Sequence, residues 1–131
     1  GDGATDDFEG GAAMGIMRHL VIADTDAEAM KLAKPVYQAW EASLTKLWRV
    51  NKVPGPNMAQ FIPPTLGEAI ERGSVVVGSA STVRDKLAGD IEALGLNYMV
   101  TAFYFGDIGH QQAMHSMQTF AADIMPDLAG L

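Results

Sequence analysis

The stretch Ser74-Val75-Val76-Val77-Gly78-Ser79-Ala80-Ser81-Thr82-Val83-Arg84-Asp85-Lys86-Leu87, running on through Ile91, Leu94 and Gly95 to Tyr98-Met99-Val100-Thr101-Ala102-Phe103-Tyr104-Phe105, decides the fold class. Ser74 to Val77 is short and β-branched, and Gly78 closes it, which is the composition of a strand. Ser79 or Ser81 then stands where a helix needs an acceptor for its first free N–H groups. Val83, Leu87, Ile91 and Leu94 recur at steps of four, four and three, one apolar stripe of a helix. Gly95 suits the left-handed position that ends it. Tyr98 to Phe105 is a run of strand formers without polar alternation, so a strand buried on both faces is expected, as in a parallel sheet. Strand, helix and strand within about 30 residues make one βαβ unit, with an expected right-handed crossover.

Working back from this unit, Met14 to Ala23 is a further strand candidate. Alternation puts Met17, His19, Val21 and Ala23 on one face and Arg18, Leu20 and Ile22 on the other. Thr25 and Glu28 have capping-box spacing and open a helix. Its stripe is Met30, Ala33, Tyr37, Trp40, Leu44 and Leu47, which reads as core packing. Pro35 falls inside it, so a kink or a break is expected there. Between 49 and 73 the periodicity is lost among prolines and glycines, apart from a turn of helix near Leu66 to Arg72. A loop of that length suits a substrate lid or a packed surface excursion. Working forward, Ala113, Met117, Phe120, Ala121 and Ile124 form a last amphipathic helix that Pro126 ends. Residues 1–13, with Phe8 as the only large apolar group, read as a flexible lead-in.

The chain has 131 residues, of which 48% are hydrophobic, the size and composition of one domain with a core. No apolar run reaches the roughly 18 residues of a membrane span, and no signal segment is evident, so a cytoplasmic location is the expectation. There is no Cys, which excludes disulfides and thiolate chemistry. The net charge of −7, with no basic stripe, argues against a nucleic-acid partner.

Nucleophile-elbow, dinucleotide-binding and Walker patterns are absent. His110 and His115, five residues apart, diverge by about 140° on a helix and do not converge on a metal, so no metal site is expected. Gly78-Ser79-Ala80-Ser81 joins a strand to a helix N-terminus, where free N–H groups either hold an anion or are simply capped. His19, on a strand, is either a structural residue or a site imidazole.

The ordered set Gly78 to Leu87, then Ile91-Glu92-Ala93-Leu94-Gly95-Leu96-Asn97-Tyr98, then Phe103-Tyr104-Phe105-Gly106-Asp107, resembles the C-terminal part of bacterial luciferase-like flavin-dependent monooxygenases. Arg18-His19-Leu20-Val21-Ile22-Ala23-Asp24-Thr25-Asp26-Ala27-Glu28-Ala29 is similar to that family's sixth strand and following helix. The resemblance covers roughly residues 14 to 125. It implies an α/β fold: part of a (β/α)8 barrel, about three C-terminal βα units with parallel strands. It also implies a flavin-dependent oxidoreductase or monooxygenase acting on a small molecule. Its cofactor would be reduced FMN from a flavin reductase, or the deazaflavin F420. His19 matches an active-site His of sulfonate-processing members and is the catalytic candidate, with Tyr104 a weaker one. Met17 stands where those members carry Arg, which argues against a sulfonate substrate. The usual Ser-Pro-Glu-Thr-Val helix start is Ser79-Ala80-Ser81-Thr82-Val83 here, and the cap is kept. A complete barrel needs about 250 residues. Three strands alone leave open edges and an uncovered inward face, so self-association, or association with the missing barrel half, is expected. The alternative is a non-catalytic half-barrel that folds by oligomerising.

Overall fold

The computed structural model describes residues 12–53 and 61–131. The expected lead-in therefore lies almost wholly outside the described residues, as does part of the 49–73 loop. The element order is β1 (Gly15–Ile22), α1 (Asp26–Val50), α2 (Leu66–Glu71), β2 (Val75–Gly78), α3 (Ala80–Leu94) and β3 (Tyr98–Ala102). Then follow α4 (His110–Thr119), a π-helical turn (Phe120–Ile124) and α5 (Met125–Leu128). The chain is α/β with three βα units, and β1 runs parallel to both β2 and β3.

Local signals place each helix start. The Thr25 hydroxyl accepts from the Glu28 N–H at 3.1 Å, and the Thr65 hydroxyl accepts from the Glu68 N–H at 3.2 Å. Ser79 is the cap of α3, and Gly95 ends that helix at φ 63°, a conformation that costs a side-chain-bearing residue about 1–2 kcal/mol. Pro35 does not break α1, which is helical from Asp26 to Val50. The α1 stripe holds as core through Ala33, Tyr37 and the part-buried Trp40, while Met30, Leu44 and Leu47 are exposed. Pro126 likewise does not end the last helix. It sits in the first turn of α5, where the missing N–H costs no helical bond, and the irregularity falls one turn earlier as the π-helical turn. At the described ends of the 49–73 segment, α1 continues to Val50 and the expected turn of helix near Leu66 to Arg72 is present as α2, Leu66–Glu71. Tyr37 anchors the segment's far end by donating its hydroxyl to the Pro63 carbonyl at 2.5 Å.

The sheet order is β2-β1-β3, so the first strand is the central one. Leu20, Val21 and Ile22 are fully or almost fully buried, as expected of a parallel strand flanked by two others and covered on both faces. Alternate residues feed two cores. Val21 and Val75 pack with Ala33, Val36, Tyr37 and Phe105 under α1 and α2. Leu20, Ile22 and Val76 pack with Val83, Leu87, Phe103 and Ile124 under α3 and the C-terminal helices. The chain passes from β1 to its neighbour on one side, then crosses over β1 to the other side. Two crossovers of the same hand in opposite directions put their helices on opposite faces. Helices therefore cover both faces, and the bare inward face expected of an excised barrel segment is only partly bare. β3 is the exception to the expected double burial. It is an edge strand with Tyr98 59% and Val100 42% exposed, because α1 lies over β1 and β2 and does not reach it.

Candidate functional site

Three groupings of polar side chains stand out, one midway along β1 and two beyond the carboxyl ends of β1 and β2. The first is built on His19. Its register partners are Val75, the first residue of β2, and Ala102, the last of β3. Its ring projects to the α1 side, with the Trp40 centroid 4.9 Å away and the Phe105 centroid 4.8 Å away. The Phe105 contact is edge-on, the geometry that aromatic quadrupoles favour. Burial between these rings holds the imidazole pKa below its ordinary value, so His19 is neutral at pH 7 and one ring nitrogen is free to accept a proton. Tyr37, beside Trp40, has its hydroxyl pushed up to about 12, mainly by burial and secondarily by the Glu41 charge.

The second grouping surrounds the start of α3. Asp26, from the first turn of α1, accepts the Ser79 N–H at 2.7 Å and the Thr82 hydroxyl at 3.0 Å. The Ser79 backbone bond first, and the Thr82 bond second, hold the Asp26 carboxyl below the usual carboxylate range. The anion position at this helix N-terminus is thus filled by the chain's own carboxylate. Of the two readings left open by Gly78 to Ser81, capping is the one realised.

The third grouping lines a cleft of about 570 Å³ between the β1–α1 turn and the start of α4. Asp24 and Glu28 form one wall, and His110, Gln112 and His115 form the other. His115 Nε2 lies 3.5 Å from Asp24 Oδ1, and the Tyr104 hydroxyl hydrogen-bonds His110 Nδ1. Each imidazole has its own partner, as their divergence on the helix requires. Among the described residues no group of three or more His, Asp or Glu is placed to hold a metal ion.

Tyr104 and His19 do not share one environment. Phe103 and Phe105 point into the two cores, which turns the intervening Tyr104 outward to 50% exposure, where it meets His110. The pairing of Tyr104 with His110, and of Asp24 with His115, was not foreseen from the sequence. The spacing of Tyr104 and His110 across the Gly106–Gly109 turn was the available signal for the first. Nothing local signals the second.

The chain matches no protein-family profile. It is 30% identical, over 112 residues, to an uncharacterized protein, y4wF, of Sinorhizobium fredii, covering 86% of this chain and 32% of that protein. Its fold is shared with the oxygenating constituent of 3,6-diketocamphane monooxygenase from Pseudomonas putida, a type II Baeyer-Villiger monooxygenase solved in complex with FMN. That likeness has a TM-score of 0.61 at 23% identity and covers 87% of this chain and 33% of the other. Monooxygenase RslO1 from Streptomyces bottropensis is also similar, with a TM-score of 0.57, 15% identity, and coverage of 86% and 30%. The chain therefore spans about a third of the length of each of these proteins. The shared α/β arrangement of parallel strands and helices is consistent with part of a (β/α)8 barrel. Among the described residues, no helix is long and apolar enough to cross a membrane.

Proposed function

We propose that this chain forms the C-terminal portion of a luciferase-like flavin-dependent oxidoreductase or monooxygenase, with His19 as its site imidazole. The observation that carries the proposal is the neutral, half-buried His19 held between Trp40 and Phe105 on the central strand. A fold shared with an FMN-bound monooxygenase supports it. Reduced FMN from a reductase is the cofactor this proposal implies, with F420 the other candidate, and the substrate is a small molecule.

The described residues do not make a whole flavin site. The helix N-terminus best placed to hold a phosphate, that of α3, is taken by Asp26. The phosphate would have to be bound by strands outside these three units, contributed by the other part of the barrel or by a second chain. His19 would then hold, donate or accept a proton at a ring nitrogen, with Trp40 and Phe105 excluding water from it. The filled anion position favours one competing reading, a non-catalytic half-barrel that folds by oligomerising.

The test is a fluorescence titration of the purified chain with FMN and then F420, reading flavin emission and Trp quenching. Binding that weakens about tenfold or more in His19→Ala is expected for an imidazole that contacts the ligand. Binding indifferent to His19→Ala would remove the residue from the site. No binding of either flavin at any chain concentration would leave the half-barrel reading standing.

A further inference from the structure

We infer that the open edge of β3 is a self-complementary dimer interface, at which two copies of this chain join their sheets antiparallel about Val100. This rests on reading the chain as three βα units that need a partner, and it names the edge, the orientation and the residues.

The sheet order leaves one side of β3 without a strand among the described residues. Asn97 donates its N–H to the Met14 carbonyl at 3.1 Å. By the alternation of a parallel ladder, Met99 and Thr101 turn their backbone groups toward β1, while Tyr98, Val100 and Ala102 turn theirs to the open edge. Exposed edges are ordinarily protected by lysine, proline, a bulge or a covering helix. Among the described residues this one has no such device, and from Ala93 to Gly106 there is no charged residue at all. The chain's net charge of −7 therefore sits elsewhere, and two copies of this edge meet without opposing like charges.

The sequence also complements itself when reversed. With Val100 facing Val100 of the second copy, Tyr98 faces Ala102 and Met99 faces Thr101, so each large side chain meets a smaller one. Such cross-strand pairs are the unit of sheet stabilisation. Apolar surface flanks the edge on both faces. On the α1 side, Met17, Tyr98 and Val100 are exposed. On the α3 side, a cleft of about 520 Å³ is lined by Leu96, Met99, Phe120, Met125 and Leu128. Five paired residues span only about 17 Å, and a stable interface buries about 800 Å² per partner. These flanking surfaces supply the area that the strand alone lacks. Because the contact is the same patch on both copies, it closes at two.

The experiment is sedimentation of the chain without flavin, so that its outcome is independent of cofactor binding. A particle of twice the 13.9 kDa chain mass is expected. In the dimer, Val100→Lys places two lysines face to face across the two-fold axis, and Val100→Glu does the same with two carboxylates. Each is expected to weaken dimerisation by about tenfold or more, and mixing the two variants is expected to restore it as a heterodimer. Leu47→Lys, on the exposed far end of α1, is expected to leave the dimer unchanged. Should either Val100 variant fail to fold alone, recovery of fold and dimer on mixing still tests the pairing. A monomeric wild type, open-ended aggregates, or a dimer indifferent to both Val100 variants would overturn the inference, as would failure of the mixture to recover.

Discussion

Ser116 offers the sharpest test of how the centre of this molecule is held. The Ile22 N–H donates to the Ser116 hydroxyl at 3.0 Å, and the same hydroxyl donates back to the Ile22 carbonyl at 3.2 Å. β3 has already ended at Ala102, in register with His19, so the β3-side backbone groups of the last turnless stretch of β1 need another partner. Ser116 supplies it, from the buried face of α4. Ser116→Ala keeps the backbone and nearly the volume but leaves one buried donor and one buried acceptor unmatched. Each costs roughly 1–3 kcal/mol, and the better helix propensity of Ala returns about 0.5 kcal/mol. The expected net loss is about 1.5–5.5 kcal/mol, read as a lower urea midpoint at unchanged m-value. It corresponds to a fall in Tm of roughly 5–20 °C. Hydrogen exchange at the Ile22 amide is expected to quicken alongside. A loss below about 0.5 kcal/mol, the scale of a surface substitution, would refute the claim that this hydroxyl completes the strand.

Three further outcomes are expected. Gly106 has φ 59°, and a Cβ there would press into the Val36 carbonyl of α1, so Gly106→Ala should lose about 2–4 kcal/mol in the same urea assay. Asp26 has a lowered folded pKa, so its contribution to stability is present above the ordinary Asp value near 4 and is lost as pH falls through the folded value. Asp26→Ala should therefore flatten the acid limb of a stability-against-pH curve below about pH 4, and an unchanged limb would count against the clasp on α3. The His19 imidazole should titrate by NMR with a midpoint below about 6.5. Because the folded chain resists that proton, stability should decline as pH drops from that value toward the folded pKa, and a midpoint at or above it would contradict the burial argument.

Local features were well legible in the sequence, and long-range ones were not. Thr25 and Ser79 mark where helices begin, and Gly95 marks where one ends, because caps answer to neighbours only three or four residues away. The three strands and their parallel direction followed from the βα rhythm, and His19 was correctly placed on the face of Val21. The centrality of β1 was not legible. The run Tyr98 to Phe105 is more uniformly apolar than Gly15 to Ile22, yet it is a strand only to Ala102, and that strand is the edge, so hydrophobicity alone does not distinguish surface buried by this chain from surface available to a partner. Pro35 does not break α1 for a different reason: the helix packs against the sheet on both sides of the proline, and tertiary packing outweighs the loss of one helical bond. The cleft between Asp24 and His115 depends on α4 crossing the end of β1, a contact between segments some ninety positions apart that no window of sequence encodes.

The placement of β1 at the middle of the sheet also sets an order of events. Of the three described strands it is made before either of its neighbours: β2 follows only after α1 and α2, and β3 only after α3. Leu20, Val21 and Ile22 must therefore wait for both partner strands until distant segments arrive on either side. Closing such long loops before any sheet contact rewards them slows folding, and the waiting strand is the segment most in need of a holding chaperone during synthesis.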